Sequence, residues 1–298
     1  MKKAALLLAL LIVAACFCWY IFDPDLSSRW IGYQSDKIQT VQPEAAFRNE
    51  IASPQAVAAG LETSPSESAI TRSVNASAPD GWSLVWSDEF DAPFLSMEYW
   101  TEVDRKDSYN GELQYYTTDN SDVENGCLVL TAKNEDKEGK QYTSGMVQTS
   151  EKMEMRYGRI EARISLPVAQ GIFPAFWLTN DEDHNELDIL EMVGCEPGNI
   201  YGVCHYWKKD RLVKTYGMLH IDDPEAFHVY ALEWDEDEVR WYIDGKQFHN
   251  TYVGVPNADM YVLFTLAVGG EWPGSPDYST VFPISMKVDY IRLYQRES

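Results

Sequence analysis

From about Asp80 onward the sequence predicts an all-β sandwich of antiparallel strands, on three observations. Short segments alternate apolar and polar residues, the period of a strand with one buried face. Asp244-Gly245 separates two such segments and supplies the residues of a type I′ hairpin turn. No run in this part of the chain carries the period of a convincing amphipathic helix. In order, Phe227–Trp234 alternates, as does Val239–Ile243; the turn then leads into Lys246–His249. Ile284–Tyr294 is a longer alternating run, suited to a strand with one wet face. With no internal repeat, these strands are expected to form one domain, residues 80–298.

The segments before it differ in kind. Residues 1–22 read as a targeting segment, with Lys2 and Lys3 ahead of an unbroken apolar run from Ala4 to Phe22. Val13-Ala14-Ala15-Cys16 has the small-residue pattern of a lipoprotein signal, which would leave Cys16 acylated. The same run is long enough to span a bilayer, with Trp19 and Tyr20 at its outer interface. Either way the remainder is expected outside the cytoplasm and tethered to a membrane. Residues 23–79, rich in Ser, Ala, Pro, Glu and Thr, read as a disordered linker.

The chain has 298 residues and a formal charge of −23, from 24 basic and 47 acidic side chains. That balance argues against nucleic acid or an anionic membrane surface as a partner and suits a neutral polymer. Ten Trp and eighteen Tyr are a surplus of the kind used to stack sugar rings, though aromatics also fill sandwich cores. Cys195 and Cys204 flank a turn that would not set them directly opposite, so buried free thiols are expected rather than a disulfide.

Glu186-Leu187-Asp188-Ile189-Leu190-Glu191 is the densest chemical signal. Alternation puts Glu186 and Asp188 on one face, and strict alternation would add Leu190 to them. A β-bulge after Asp188 instead returns Glu191 to the acidic face. Adjacent carboxylates repel and raise one another's pKa, a costly arrangement if only structural. It suits glycoside hydrolysis, which needs one ionised carboxylate and one protonated carboxyl group. A solvated acidic strand face is the plainer alternative for the hexapeptide alone.

Further segments extend the pattern: Trp86-Ser-Asp-Glu-Phe90, Asn110-Gly-Glu-Leu-Gln-Tyr-Tyr-Thr117, Tyr157-Gly-Arg-Ile-Glu-Ala-Arg163 and Phe173-Pro-Ala-Phe-Trp177 precede the hexapeptide. Gly202-Val-Cys-His205, Leu266-Ala-Val-Gly-Gly-Glu-Trp-Pro-Gly274 and Val288-Asp-Tyr-Ile-Arg-Leu-Tyr294 follow it. In that order they resemble glycoside hydrolase family 16, nearest its bacterial laminarinase-like endo-β-1,3-glucanases. The resemblance implies a concanavalin A-like jelly roll of two curved antiparallel sheets and a retaining endo-acting enzyme on β-glucan, working as a monomer without a catalytic cofactor. It implies Glu186 as nucleophile, Glu191 as acid/base, and Asp188 tuning the nucleophile by hydrogen bonding.

The resemblance also places Asn110 and Glu112, on one face of their strand, against sugar hydroxyls, and Arg159 near the nucleophile. Arg159 alternates with Glu161 and Arg163, so a salt-bridge ladder is its structural alternative. Trp177 and Trp272 would be stacking platforms, and His205 would line the cleft. A structural Ca²⁺ would fall on Glu89, the carbonyl of Gly126 and Asp289. Asn185 stands where these glucanases carry Gly, and Thr265 where a longer amide is usual. These departures leave the catalytic assignment and loosen the substrate: agar- or carrageenan-type galactan hydrolysis, transglycosylation with the same site, and a non-catalytic glucan-binding module remain alternatives.

Overall fold

The structure is a computed structural model that describes residues 78–297. The targeting segment, nearly all of the linker, and with them the acylated Cys16 and the transmembrane alternative, lie outside the described residues. In chain order the strands begin with β1 (Trp82–Asp88), β2 (Thr101–Glu102), β3 (Gln114–Tyr116), β4 (Ser121–Glu124), β5 (Cys127–Ala132) and β6 (Tyr142–Ser144). Next are β7 (Met146–Gln148), β8 (Glu154–Met155), β9 (Gly158–Ser165), β10 (Ile172–Thr179), β11 (Glu186–Glu191) and β12 (Asn199–Lys208). The last six are β13 (Arg211–His220), β14 (His228–Trp234), β15 (Val239–Ile243), β16 (Lys246–Thr251), β17 (Met260–Val268) and β18 (Ile284–Arg296).

Two eight-stranded sheets carry the fold. The back sheet runs β16-β15-β14-β9-β18-β5-β4, with β1 also on β18; the front sheet runs β13-β12-β11-β10-β17-β7-β2, with β8 also on β17. All pairings within these sheets are antiparallel, as the alternating runs required. A small parallel pair, β3 with β6, lies outside that expectation.

Side-chain alternation builds the core between the sheets. Tyr230, Leu232 and Trp234 of β14 face Phe176 and Leu178 of β10 and Phe264 and Leu266 of β17 within one buried cluster. Phe176 and Phe264 stack at 4.7 Å, and Trp100 lies 5.8 Å from Phe264. Trp100, Trp234 and Trp241 are wholly interior, so much of the aromatic surplus is core and not sugar platform. The turn between β15 and β16 has φ of 49° at Asp244 and 77° at Gly245, the left-handed pair that a type I′ turn demands. On β18 the inward set Met286, Val288, Ile291, Leu293 changes phase once, because the register slips between Val288 and Tyr290. Asp289 is the extra residue of that bulge.

Candidate active site

The acidic hexapeptide is β11, in the middle of the front sheet. Asp188 pairs with Trp177 of β10 while Leu190 pairs with the preceding residue, Phe176, so Ile189 is the inserted residue of a bulge. On the other side Asp188 pairs with Val203 and Glu191 with Tyr201 of β12, which places the same irregularity after Asp188. Ile189 and Leu190 both enter the core with no exposure, as does Leu187. The bulge therefore rotates two consecutive apolar residues inward and brings Glu191 to the outer face with Glu186 and Asp188. All three acids line one cleft there.

His205 sits on β12 opposite Glu186. Its Nε2 is 3.5 Å from Oε1 of Glu186 and 3.4 Å from Oδ2 of Asp188. Burial, then the neighbouring Lys214 ammonium, push the imidazole down to about 3, so it stands neutral beside the acids. Burial holds Glu186 well above the carboxylate range, with the charge of Glu191 adding; a hydrogen bond from Asp188 and Lys214 oppose this. Asp188 is raised well above its ordinary value by burial and then by Glu186 and Glu191. Its Oδ2 is shut off from solvent and makes no hydrogen bond, a poor place for a lone charge. Glu191 is pushed up to about 7 by burial, with Lys214 opposing. Burial and mutual repulsion favour a low-charge site in which the three carboxyl groups share one negative charge, with Glu191 raised least of the three.

Asn110, Glu112 and Trp177 reach the same cleft. Asn110 and Glu112 do not share a strand, contrary to the sequence expectation. Asn110 (φ 52°) and Gly111 (φ 73°) form a turn before β3, closed by the amide of Glu112 donating to Tyr109 O at 2.8 Å. The turn meets the cleft because Asn110 O accepts from the amide of Glu271 at 2.8 Å, in the loop carrying Trp272. Glu112 is half-buried, and desolvation pushes it up to about 7 against hydrogen bonding from Gln114 (2.7 Å) and the charges of Arg105 and Lys140. Trp272 packs edge-on against Phe173 at 5.5 Å and Tyr201 at 5.0 Å; Phe173 itself lines the cleft.

Arg159 lies elsewhere. It belongs to β9 of the back sheet, and its neighbours Ile160 and Ala162 take the inward face, so its side chain is on the far side of the sandwich from the acids. There it binds Oε2 of Glu161 at 2.8 and 3.2 Å and Oε1 of Glu233 at 2.9 Å, beneath Tyr242. The ladder reading describes it; the reading of a substrate contact is corrected. No disulfide joins Cys195 and Cys204: Cys204 is buried as expected, but Cys195 sits exposed in the β11–β12 turn. Asn185 hydrogen-bonds Asp183 at 2.7 Å, and the left-handed residue of that loop is His184 (φ 53°), so nothing there requires glycine at 185.

Sequence reasoning missed Arg105, Tyr109, Tyr116 and Met146, all on the cleft wall. The Arg105 guanidinium lies 4.9 Å from the Tyr109 ring and 5.7 Å from that of Tyr116. It comes from a non-strand segment bridged to β3, which no periodicity announces. Lys214 was missed as well; it lies on β13, opposite His205.

The expected Ca²⁺ ligands Glu89, Gly126 and Asp289 occupy neighbouring register positions along β18. Glu89 follows β1 directly after the Asp88–Ile291 pair; Gly126 lies in the β4–β5 turn, one residue before the Glu124–Cys127 pair closes. Asp289 is the bulged residue between them on β18. The donors are hard oxygens, as Ca²⁺ requires, and both carboxylates also carry arginines: Arg292 on Glu89 at 2.9 Å and Arg163 on Asp289 at 2.8 Å.

A jelly roll with acids converging on the outer face of one sheet defines a carbohydrate-cleaving sandwich of the two-carboxylate kind. The chain belongs to glycosyl hydrolases family 16, whose model matches residues 110–292. A second model, beta-glucan synthesis-associated protein SKN1/KRE6/Sbg1, matches residues 2–181. The chain is similar to a beta-glucanase of Rhodothermus marinus, 36% identical over 244 residues that cover 72% of this chain and 85% of that one. It is 31% identical to glucan endo-1,3-beta-glucosidase A1 of Niallia circulans over 73% of this chain, spanning only 38% of that longer protein. Among solved structures, the catalytic domain of an endo-1,3-beta-glucanase (laminarinase) from Thermotoga petrophila superposes with a TM-score of 0.67 and 37% identity, over 73% of this chain and 99% of that one.

Proposed function

We propose that the protein is a retaining endo-β-1,3-glucanase acting on laminarin-like glucan, tethered outside the cytoplasm. The observation that carries this reading is the bulged β11, which turns three acids to one cleft face with unequal tendencies to hold a proton. Glu186, ionised and accepting from Asp188, attacks the anomeric carbon; Glu191, protonated below about pH 7, gives its proton to the departing glycosidic oxygen. Water then enters with Glu191 as base and releases the sugar with its configuration kept. His205, neutral, stands with Nε2 close to both Glu186 and Asp188 without competing for their charge. Trp177 and Trp272 offer ring faces and edges for sugars, and Asn110 and Glu112 polar groups for their hydroxyls.

The tether at 1–22 and the linker at 23–79 belong to the same proposal, as does a structural Ca²⁺ on Glu89, Gly126 and Asp289 that would fasten β1 and the β4–β5 turn to β18. The match to a beta-glucan synthesis-associated model supports a second reading, a transglycosylase differing only in what attacks the glycosyl-enzyme. Incubating the protein with laminarin, mixed-linkage glucan, agarose and carrageenan, and following products by NMR, tests both. Internal cleavage of laminarin with β-configured new ends supports the first reading; lengthened oligosaccharides support the second. Cleavage of a galactan alone, or α-configured ends, overturns both.

A further inference from the structure

Three carboxyl groups share a buried site, and in the arrangement above one is an anion. An anion removed from water needs a countercharge close by. The nearest candidate in contact, His205, is the wrong group: burial keeps its imidazole neutral. Arg105, on the cleft wall, acts on Glu112. The pairing of β11, β12 and β13 puts Glu186, His205 and Lys214 in one row across the sheet, with all three side chains on the outer face. We propose that Lys214 is the standing countercharge of this site, a positioning residue whose ammonium group permits one of the three buried acids to be ionised.

This rests on the reading of Glu186, Asp188 and Glu191 as the reacting acids. Lys214 is half-buried on the edge strand β13, with Nζ 5.7 Å from the ring of Tyr216. The titratable groups facing it are Glu186, Asp188 and Glu191 of β11 and His205 of β12; Tyr216 accompanies it on β13 itself. His249 of β16 packs under Gly217, on the opposite face of β13. The electrostatics agree with the geometry. The Lys214 charge lowers all three acids and His205, and the same acids hold the lysine up against its own desolvation. One ammonium thus does two jobs: it favours carboxylate over carboxylic acid and imidazole over imidazolium.

Carboxyl ¹³C titration of the full chain, labelled at Glu and Asp side chains, reads the effect directly. The site acids should titrate above the ordinary carboxylates, and Glu191→Gln and Glu112→Gln would assign them. In Lys214→Met the site midpoints should move up by on the order of one unit, while Lys214→Arg leaves them nearly unchanged. Both limbs of the kcat/KM profile on laminarin should move up with them, leaving Lys214→Met slowed roughly tenfold in the acid limb. Lys214→Gln repeats the measurement should the methionine variant not fold. Midpoints that stay put in a folded Lys214→Met or Lys214→Gln protein overturn the proposal. Failure of the wild type to cut laminarin would instead sink the substrate assignment, and the titration would still decide the role of Lys214.

Discussion

The indole Nε1 of Trp241, on the back sheet, donates a 2.8 Å hydrogen bond to the main-chain carbonyl of Asp188, on the front sheet. A β-bulge leaves a main-chain group without its ladder partner. Here that orphan is met from across the core. Gly202, on β12 beside the bulge, makes room for the ring: a Cβ there would come within 2.5 Å of Trp241 Cδ1. The bend that turns Glu191 outward is therefore held by a tryptophan of the opposite sheet.

Trp241→Phe keeps most of the apolar volume and removes the donor. The buried carbonyl then goes unsatisfied, at a cost of about 1–3 kcal/mol. Chemical denaturation should show that loss, and kcat should fall more than KM rises, because Asp188 and Glu191 straddle the released bend. A variant as stable and as active as the wild type would show that the bulge holds without Trp241.

How far the sequence revealed this site depends on what each residue's position requires. The bulge was legible because three acids among branched aliphatics make sense on one face only with an inserted residue, and Ile189 is that residue. Arg159 was misplaced because alternation assigns it a face of its own sheet but cannot say which side of the sandwich that face is on. Asn110 and Glu112 were read as strand neighbours, since i and i+2 share a face in a strand; a left-handed turn brings them to the same cleft by another route. Arg105 and Lys214 carried no local signal, because their relation to the acids exists only through non-local pairing.

Arg159 and Trp272 should separate in kinetics. Trp272→Ala is expected to raise the KM for polymer more than it lowers kcat, through loss of contact with bound sugar. Arg159→Met should instead leave KM unchanged and lower the melting temperature, since it strips Glu161 of its guanidinium partner and leaves Glu233 only that of Arg240, at 3.8 Å. A KM effect at Arg159 without any stability loss would restore it to the substrate path.

A chain beginning at Ala78 should be soluble and fully active, since β1 starts only at Trp82 and both sheets close among the described residues. Aggregation or inactivity of that chain would place residues 23–77 in the fold. In the full chain, Cys16→Ser should abolish labelling by a fatty-acid analogue; membrane retention by a wild type that takes no label would select the transmembrane alternative.

Stability should fall as pH rises through neutrality. Burial keeps Glu191 protonated in the folded chain to about pH 7, whereas its ordinary value is 4.5. Between those values the folded form binds the extra proton, so this contribution is complete below about pH 4.5 and lost as pH climbs through about 7. Glu191→Gln has no proton to lose. It should match the wild type near pH 4.5 and exceed it near pH 8 by on the order of a few kcal/mol. Denaturant titrations at both pH values check this, and equal stability of the two proteins at pH 8 would refute it.

The two glutamates can be told apart by azide rescue on a glucoside with a good leaving group. Such a group departs without a proton, so Glu191→Ala should still form the glycosyl-enzyme through Glu186. Azide then attacks that intermediate in the second of two displacements and yields the β-glycosyl azide. Glu186→Ala lacks the nucleophile; azide enters the vacated space, attacks once, and gives the α-azide. Asp188→Asn, which can still donate to Glu186 through its amide, should slow the reaction without changing its stereochemistry. The anomers are read by proton NMR of the products. If they came out the other way round, nucleophile and acid would be exchanged. The bulge would then have carried the attacking carboxylate, not the proton donor, onto the cleft face.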